Sequence, residues 1–238
     1  MRYRIDGTLF PAVTFELEKG ESVYSEAGGM AWMSENIELG TEARGGLVEG
    51  IKRRFAGESI FLNTFTCVAG AGTATFTSEF PGKVLALELT GARDIICQKD
   101  AFMCATPGVK LEMHFRRKLG AGLFGGEGFV LQRLSGRGAA FVEIAGEVIE
   151  YALGDGERLM VDPGHIAMYD SSVDFDIQLV GGLKNALLGG EGLFLASVRG
   201  PGRVWLQTMP LENLAGALRR HFGGGRRNPL RALLDIFT

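Results

Sequence analysis

The sequence predicts an all-β fold: three tandem β-sandwich modules in a pseudo-threefold arrangement, followed by short C-terminal helices. Three observations carry this. A glycine-glutamate phrase is written three times, as "AGESIFLNTFTCVAGAG" (56–72), "GGEGFVLQRLSGRG" (125–138) and "GGEGLFLASVRGPG" (189–202). Stretches between the copies alternate apolar and polar residues with a period of two, the mark of a strand with one wet face. Glycine is dense, at 36 of 238 residues against 7 prolines, and it punctuates short apolar runs as turns between strands do.

The first module is read over 1–80. It opens with "GESVYSEAGGM" (20–30), keeps a trace of alternation at Ile37 and Leu39, passes the loop "GGLVEG" (45–50) and reaches Gly57 and Glu58. The second is read over 81–146. "GARDIICQKDAF" (91–102) is its degraded opening, and Val109, Leu111, Met113 and Phe115 then alternate with Lys110, Glu112, His114 and Arg116. Gly126 and Glu127 follow, 69 residues after the first pair. The third is read over 147–210. "GERLMVDPGHI" (156–166) matches the first opening, and Val173, Phe175, Ile177 and Leu179 alternate with Asp174, Asp176 and Gln178. After "GGLKNA" (181–186) come Gly190 and Glu191, 64 residues beyond the second pair.

Each glycine-glutamate pair leads through an apolar run to a Gly-x-Gly, including Gly136 with Gly138 and Gly200 with Gly202, and then to a second apolar run. The spacing predicts a β-hairpin, with glycines where the backbone needs positive φ or close approach. A fixed period of this length signals repeat architecture, whose units pack on one another because none can bury its own faces.

Residues 211–238 form a C-terminal helical, basic tail. Leu211, Leu214, Leu218 and Phe222 recur at helical spacing, and Asn228 with Pro229 supplies an N-cap and N1 for a second short helix. From residue 213 onward five arginines, Arg219, Arg220, Arg226, Arg227 and Arg231, face one acid, Asp235; that segment carries +4 and the remainder −7.

At "VDPGHIAMYD" (161–170) and "GGEGLFLASVRGPGRVWLQTMP" (189–210) the chain resembles the uncharacterised proteins grouped with the fungal "altered inheritance of mitochondria" mitochondrial-biogenesis protein. The resemblance covers about residues 1–210. It implies modules similar in fold to the tryptophan RNA-binding attenuation protein (TRAP-like), and a homotrimer with nine units in a ring. It implies no enzymatic activity, and no cofactor is expected.

Composition narrows the function classes. A net charge of −3 offers no broad attraction to nucleic acid. The start, "MRYRIDGTLFPAV", lacks the apolar core of a secretory signal, and nowhere do 18 apolar residues run together. Cys67, Cys97 and Cys104 are too few and too irregular for a disulfide framework. The expectation is a cytoplasmic protein.

Candidate chemistry is sparse. Glu58, Glu127 and Glu191 could ring a metal or polar channel, but repeated structure already accounts for a repeated turn carboxylate. "GAGLFG" (120–125) meets a nucleotide-binding spacing with no helix after it, so it is read as structural. His165 with Asp162 and Asp170 is the best acid-base candidate, set against a plain structural turn. The three histidines have no metal-ligand spacing, so no metal site is expected. Lys52, Arg53 and Arg54, together with Arg116, Arg117 and Lys118, form basic clusters just ahead of two of the motifs. With Arg219, Arg220, Arg226 and Arg227 they are the candidate binding residues, for anionic lipid or RNA phosphates, against the alternative of solvated faces or salt bridges between subunits. The leading functional reading is a non-enzymatic oligomeric scaffold or interaction protein whose partners are itself, an anionic membrane surface or another protein. A ligand- or RNA-binding ring is the runner-up. RNA ranks low, because the negative body repels a polyanion.

Overall fold

The computed structural model describes residues 1–42, 62–117, 128–179 and 194–222. Strands hold about two-thirds of these residues, and the single α-helix among them, α1 (Leu211–Phe222), comes last. The all-β class is therefore observed. The second helix predicted after Asn228 lies outside the described residues.

The first strands are β1 (Arg2–Asp6), β2 (Ala12–Glu18), β3 (Ser22–Glu26), β4 (Met30–Met33), β5 (Ile37–Glu42), β6 (Leu62–Cys67) and β7 (Ala71–Thr77). β2 and β4 both pair with β7, whereas β3 and β5 both pair with β6, all antiparallel. The next stretch holds β8 (Gly82–Thr90), β9 (Ile95–Gln98), β10 (Phe102–Ala105), β11 (Val109–Arg117) and the 17-residue β12 (Phe129–Ala145). Here β8 and β10 pair with the second half of β12, and β9 and β11 with its first half. The last stretch holds β13 (Val148–Leu153), β14 (Arg158–Val161), β15 (Ile166–Asp170), β16 (Asp174–Leu179), β17 (Phe194–Arg199) and β18 (Gly202–Gln207). β13 and β15 pair with β18; β14 and β16 pair with β17. One pairing pattern thus occurs in each of the three stretches. Two more pairings join them, β10 to β3 and β15 to β9.

The result is four sheets, β1-β2-β7-β4, β5-β6-β3-β10-β12-β8, β11-β12-β9-β15-β18-β13 and β14-β17-β16, with β12 common to the middle two. Three cores lie between successive sheets. Phe15 and Phe76 of the first sheet meet Phe65 and Phe141 of the second. Val142 and Ile144 face Cys97, Leu134 and Trp205 across the middle core. Phe129, Leu131 and Tyr169 meet Val161, Ile177 and Val198 across the last. Each fully buried aromatic or branched side chain contributes about 1.5–3 kcal/mol relative to exposure.

The Gly-x-Gly segments do not close hairpins, and this corrects the sequence reading. β6 and β7 do not pair with each other, and neither do β17 and β18; each pair of runs belongs to two different sheets. In β12 the chain crosses from the third sheet to the second without a break, at Gly136 (φ 92°) and Gly138 (φ 141°). A Cβ at Gly136 would strike the Gly108 carbonyl, and one at Gly138 the Thr106 hydroxyl. The second run lines the wall of the core opposite the first, so both apolar faces are buried across the core rather than side by side.

Candidate interaction surfaces

The residues singled out by charge fall into three groups. Lys52, Arg53, Arg54, Lys118, Arg226 and Arg227 lie outside the described residues, as do Gly57, Glu58, Gly126, Glu127, Gly190 and Glu191. Arg116 and Arg117 end β11, the edge strand of the third sheet. Arg117 reaches the fourth sheet: its Nη1 donates to the Ile177 carbonyl at 2.7 Å and lies 3.8 Å from the Asp176 carboxylate. It ties two sheet edges together, and with both charges largely exposed the ion pair itself adds under about 1 kcal/mol. Arg219 is exposed on α1, and Arg220 follows it in the helix.

His165, Asp162 and Asp170 are engaged separately. The Asp162 carboxylate caps its own turn by accepting from the Gly164 N–H at 3.0 Å. His165 places Nδ1 2.7 Å from the Gln207 carbonyl and Nε2 3.5 Å from the Asn213 amide of α1. Asp170, 3% exposed, accepts from the backbone N–H and Nε of Arg203. The histidine therefore links the body to the start of the helix, Asp162 holds its turn, and Asp170 ties β15 to Arg203 of β18.

Around this docking point lies a buried polar knot that the sequence reading missed. Gln207 donates to Gln98 Oε1 at 3.1 Å and to the Gly164 carbonyl at 2.8 Å, and accepts from the Ala145 N–H at 3.2 Å. Nearby, Glu143 is buried and accepts from the Glu79 N–H at 3.0 Å. Burial, reinforced by the charges of Glu79 and Asp100, pushes its carboxyl up to about 8 against the opposing pull of that hydrogen bond. Burial also raises the Cys97 thiol to about 12 and the Cys104 thiol well above its ordinary value. Cys67, Cys97 and Cys104 are all free and buried, which makes them packing groups. No group of three or more metal-ligating side chains assembles among the described residues.

The body's most open surfaces are strand edges. Among the described residues no strand pairs with the outer edge of β4 or of β14. One apolar side chain of each stands in solvent, Trp32 at 56% and Met160 at 41% exposure, while Met30, Met33, Leu159 and Val161 pack against the cores. Two apolar runs, "MAWM" and "RLMV", carried this signal, since continuous apolar character without alternation marks strands meant for burial on both faces. On α1 and just before it, Met209, Leu211 and Leu218 are also exposed. No helix among the described residues is long and apolar enough to cross a membrane.

Comparison with known proteins gives consistent results. The family model for mitochondrial biogenesis AIM24 matches residues 3–209. An uncharacterized protein of Streptococcus pyogenes serotype M6 is 32% identical over 230 residues, covering 93% of this chain and 91% of that one. A crystal structure of a Streptococcus pyogenes protein superposes with a TM-score of 0.76 at 29% identity, over 93% of this chain and 99% of its own.

Proposed function

The chain belongs to the mitochondrial biogenesis AIM24 family, and from that premise we propose that it is a non-enzymatic, oligomeric interaction scaffold that works at an anionic membrane surface. Its body is three tandem TRAP-like β modules, and its assembly is a homotrimer. The supporting observation is the recurrence of one strand-pairing pattern over 12–77, 82–145 and 148–207, with main-chain pairing at each join. A body built this way presents the same strand edges repeatedly along the chain.

The membrane part rests on α1 and the basic residues after it. Leu211 and Leu218, seven residues apart on one helical face, are exposed beside Arg219, an arrangement suited to lying in a headgroup layer. Flotation with anionic vesicles compares the full chain with a 1–210 truncation. The full chain should float and the truncation should not; equal flotation would remove the tail from the reading. An RNA pool in fluorescence anisotropy serves as the counter-test. Tight RNA binding at physiological salt, where each neutralised phosphate costs a log-log slope of about 0.7, would favour an RNA-binding ring instead.

A further inference from the structure

The two in-chain joins obey one rule. Where β10 meets β3, Cys104 lies opposite Ser25 and Ala105 opposite Tyr24. Where β15 meets β9, Met168 lies opposite Cys97 and Tyr169 opposite Ile96. β10 and β15 also carry the same bulge against their other neighbours, between Phe102 and Cys104 and between Ile166 and Met168. The bulge turns two consecutive residues to one side. Met103 and Cys104 both enter the core of the preceding stretch, and so do Ala167 and Met168. In return, Tyr24 and Ile96 enter the core of the following stretch. Every residue of these two registers is buried.

β4 and β14 are the unmatched halves of the same join. β4 has the bulge at the same place, between Met30 and Trp32 against β7. Its Ala31 and Trp32 occupy the positions of Met103 and Cys104, yet both are exposed. On β14, Met160 occupies the position of Tyr24 and Ile96, and it too is exposed. The chain thus ends in a half-join of each kind, and within one chain β4 and β14 do not pair.

We propose that β4 of one copy pairs antiparallel with β14 of a second copy, with Trp32 opposite Val161 and Met33 opposite Met160. Trp32 then enters the last core of the neighbouring copy, and the neighbour's Met160 enters the first core of this one. The contact is head-to-tail, so each copy keeps one free half-join until a ring closes. It rests on the oligomeric reading above and assigns that reading its surface.

Paired cysteine variants test the register. Trp32→Cys with Val161→Cys and Met33→Cys with Met160→Cys place thiols directly opposite. Trp32→Cys with Met160→Cys is one residue out, which sends the thiols to opposite faces. After mild oxidation, at least one in-register variant should run on a denaturing gel as covalent multiples of the 25.6 kDa chain, while the out-of-register variant and the parent chain should not. Met160→Lys, at a position exposed in the single chain, should still unfold cooperatively yet fall to 25.6 kDa by light scattering. Disulfides formed only within single chains would overturn the proposal, as would an unchanged mass for Met160→Lys. An oligomer that forms no in-register links would overturn the edge contact and leave the oligomeric reading standing. A parent chain that is monomeric would overturn both.

Discussion

Glu143 is a carboxyl that the fold holds where its charge is disfavoured. Its folded value of about 8 lies above the ordinary 4.5, so the native state keeps a proton that the unfolded chain releases. Stability from this group is full below the ordinary carboxylate range and is lost as pH rises through about 8. Between roughly pH 5 and pH 8 the loss is on the order of 3 kcal/mol. Glu143→Gln keeps a carbonyl oxygen for the Glu79 N–H and cannot ionise. Urea midpoints of the two proteins should therefore lie close together near pH 5 and separate toward pH 8.5, with the glutamine variant the more stable. Parallel pH profiles would show that Glu143 is charged in the folded protein.

At the scale of elements, the corner inside β12 is the most constrained piece of backbone. Gly136→Ala combines a positive φ with a clash against the Gly108 carbonyl, whereas Gly20→Ala has the positive φ (88°) with nothing within 4 Å. The first should cost about 2–4 kcal/mol and the second about 1 kcal/mol, read from thermal or urea unfolding. Equal costs would mean that the corner yields.

Strands were legible where one face is wet. β11 alternates buried or half-buried Val109, Leu111, Met113 and Phe115 with exposed Lys110, Glu112 and His114, as its sequence says, and β16 behaves likewise. Strands covered on both faces were harder: β9 ("IICQ") and β10 ("FMCA") are buried throughout, so they carry no period. β1 went unread although Tyr3 and Ile5 alternate with charges; five residues are too few to stand out, and Tyr3 declares itself only by packing edge-on against Phe141, 4.8 Å away. The hairpin reading failed because pairing is non-local: glycines mark where the chain changes direction, and only the partner strands reveal into which sheet it goes. For the same reason charge located Arg117 without revealing that it bonds to β16.

For the whole molecule, the unmatched edges set the expectation. Sheets with open edges are paired or covered in natural proteins, and a cyclic assembly covers every edge at once. Gel filtration with light scattering should give three times 25.6 kDa. A dimeric or tetrameric mass would keep an assembly but change its order; a monomer would mean the edges are capped within the chain.

The strand shared by the two middle sheets bears on how the molecule comes apart. β8 and β10 hold residues 137–145 of β12 while β9 and β11 hold residues 129–136, so one unbroken strand carries both middle sheets. Because both halves of β12 belong to one continuous strand, the two middle sheets are expected to open together. The outer sheets, β1-β2-β7-β4 and β14-β17-β16, share no strand with them and are free to exchange their amide hydrogens first. Hydrogen exchange should find the slowest amides in β12, and fastest exchange there would show that the outer sheets are not the first to open.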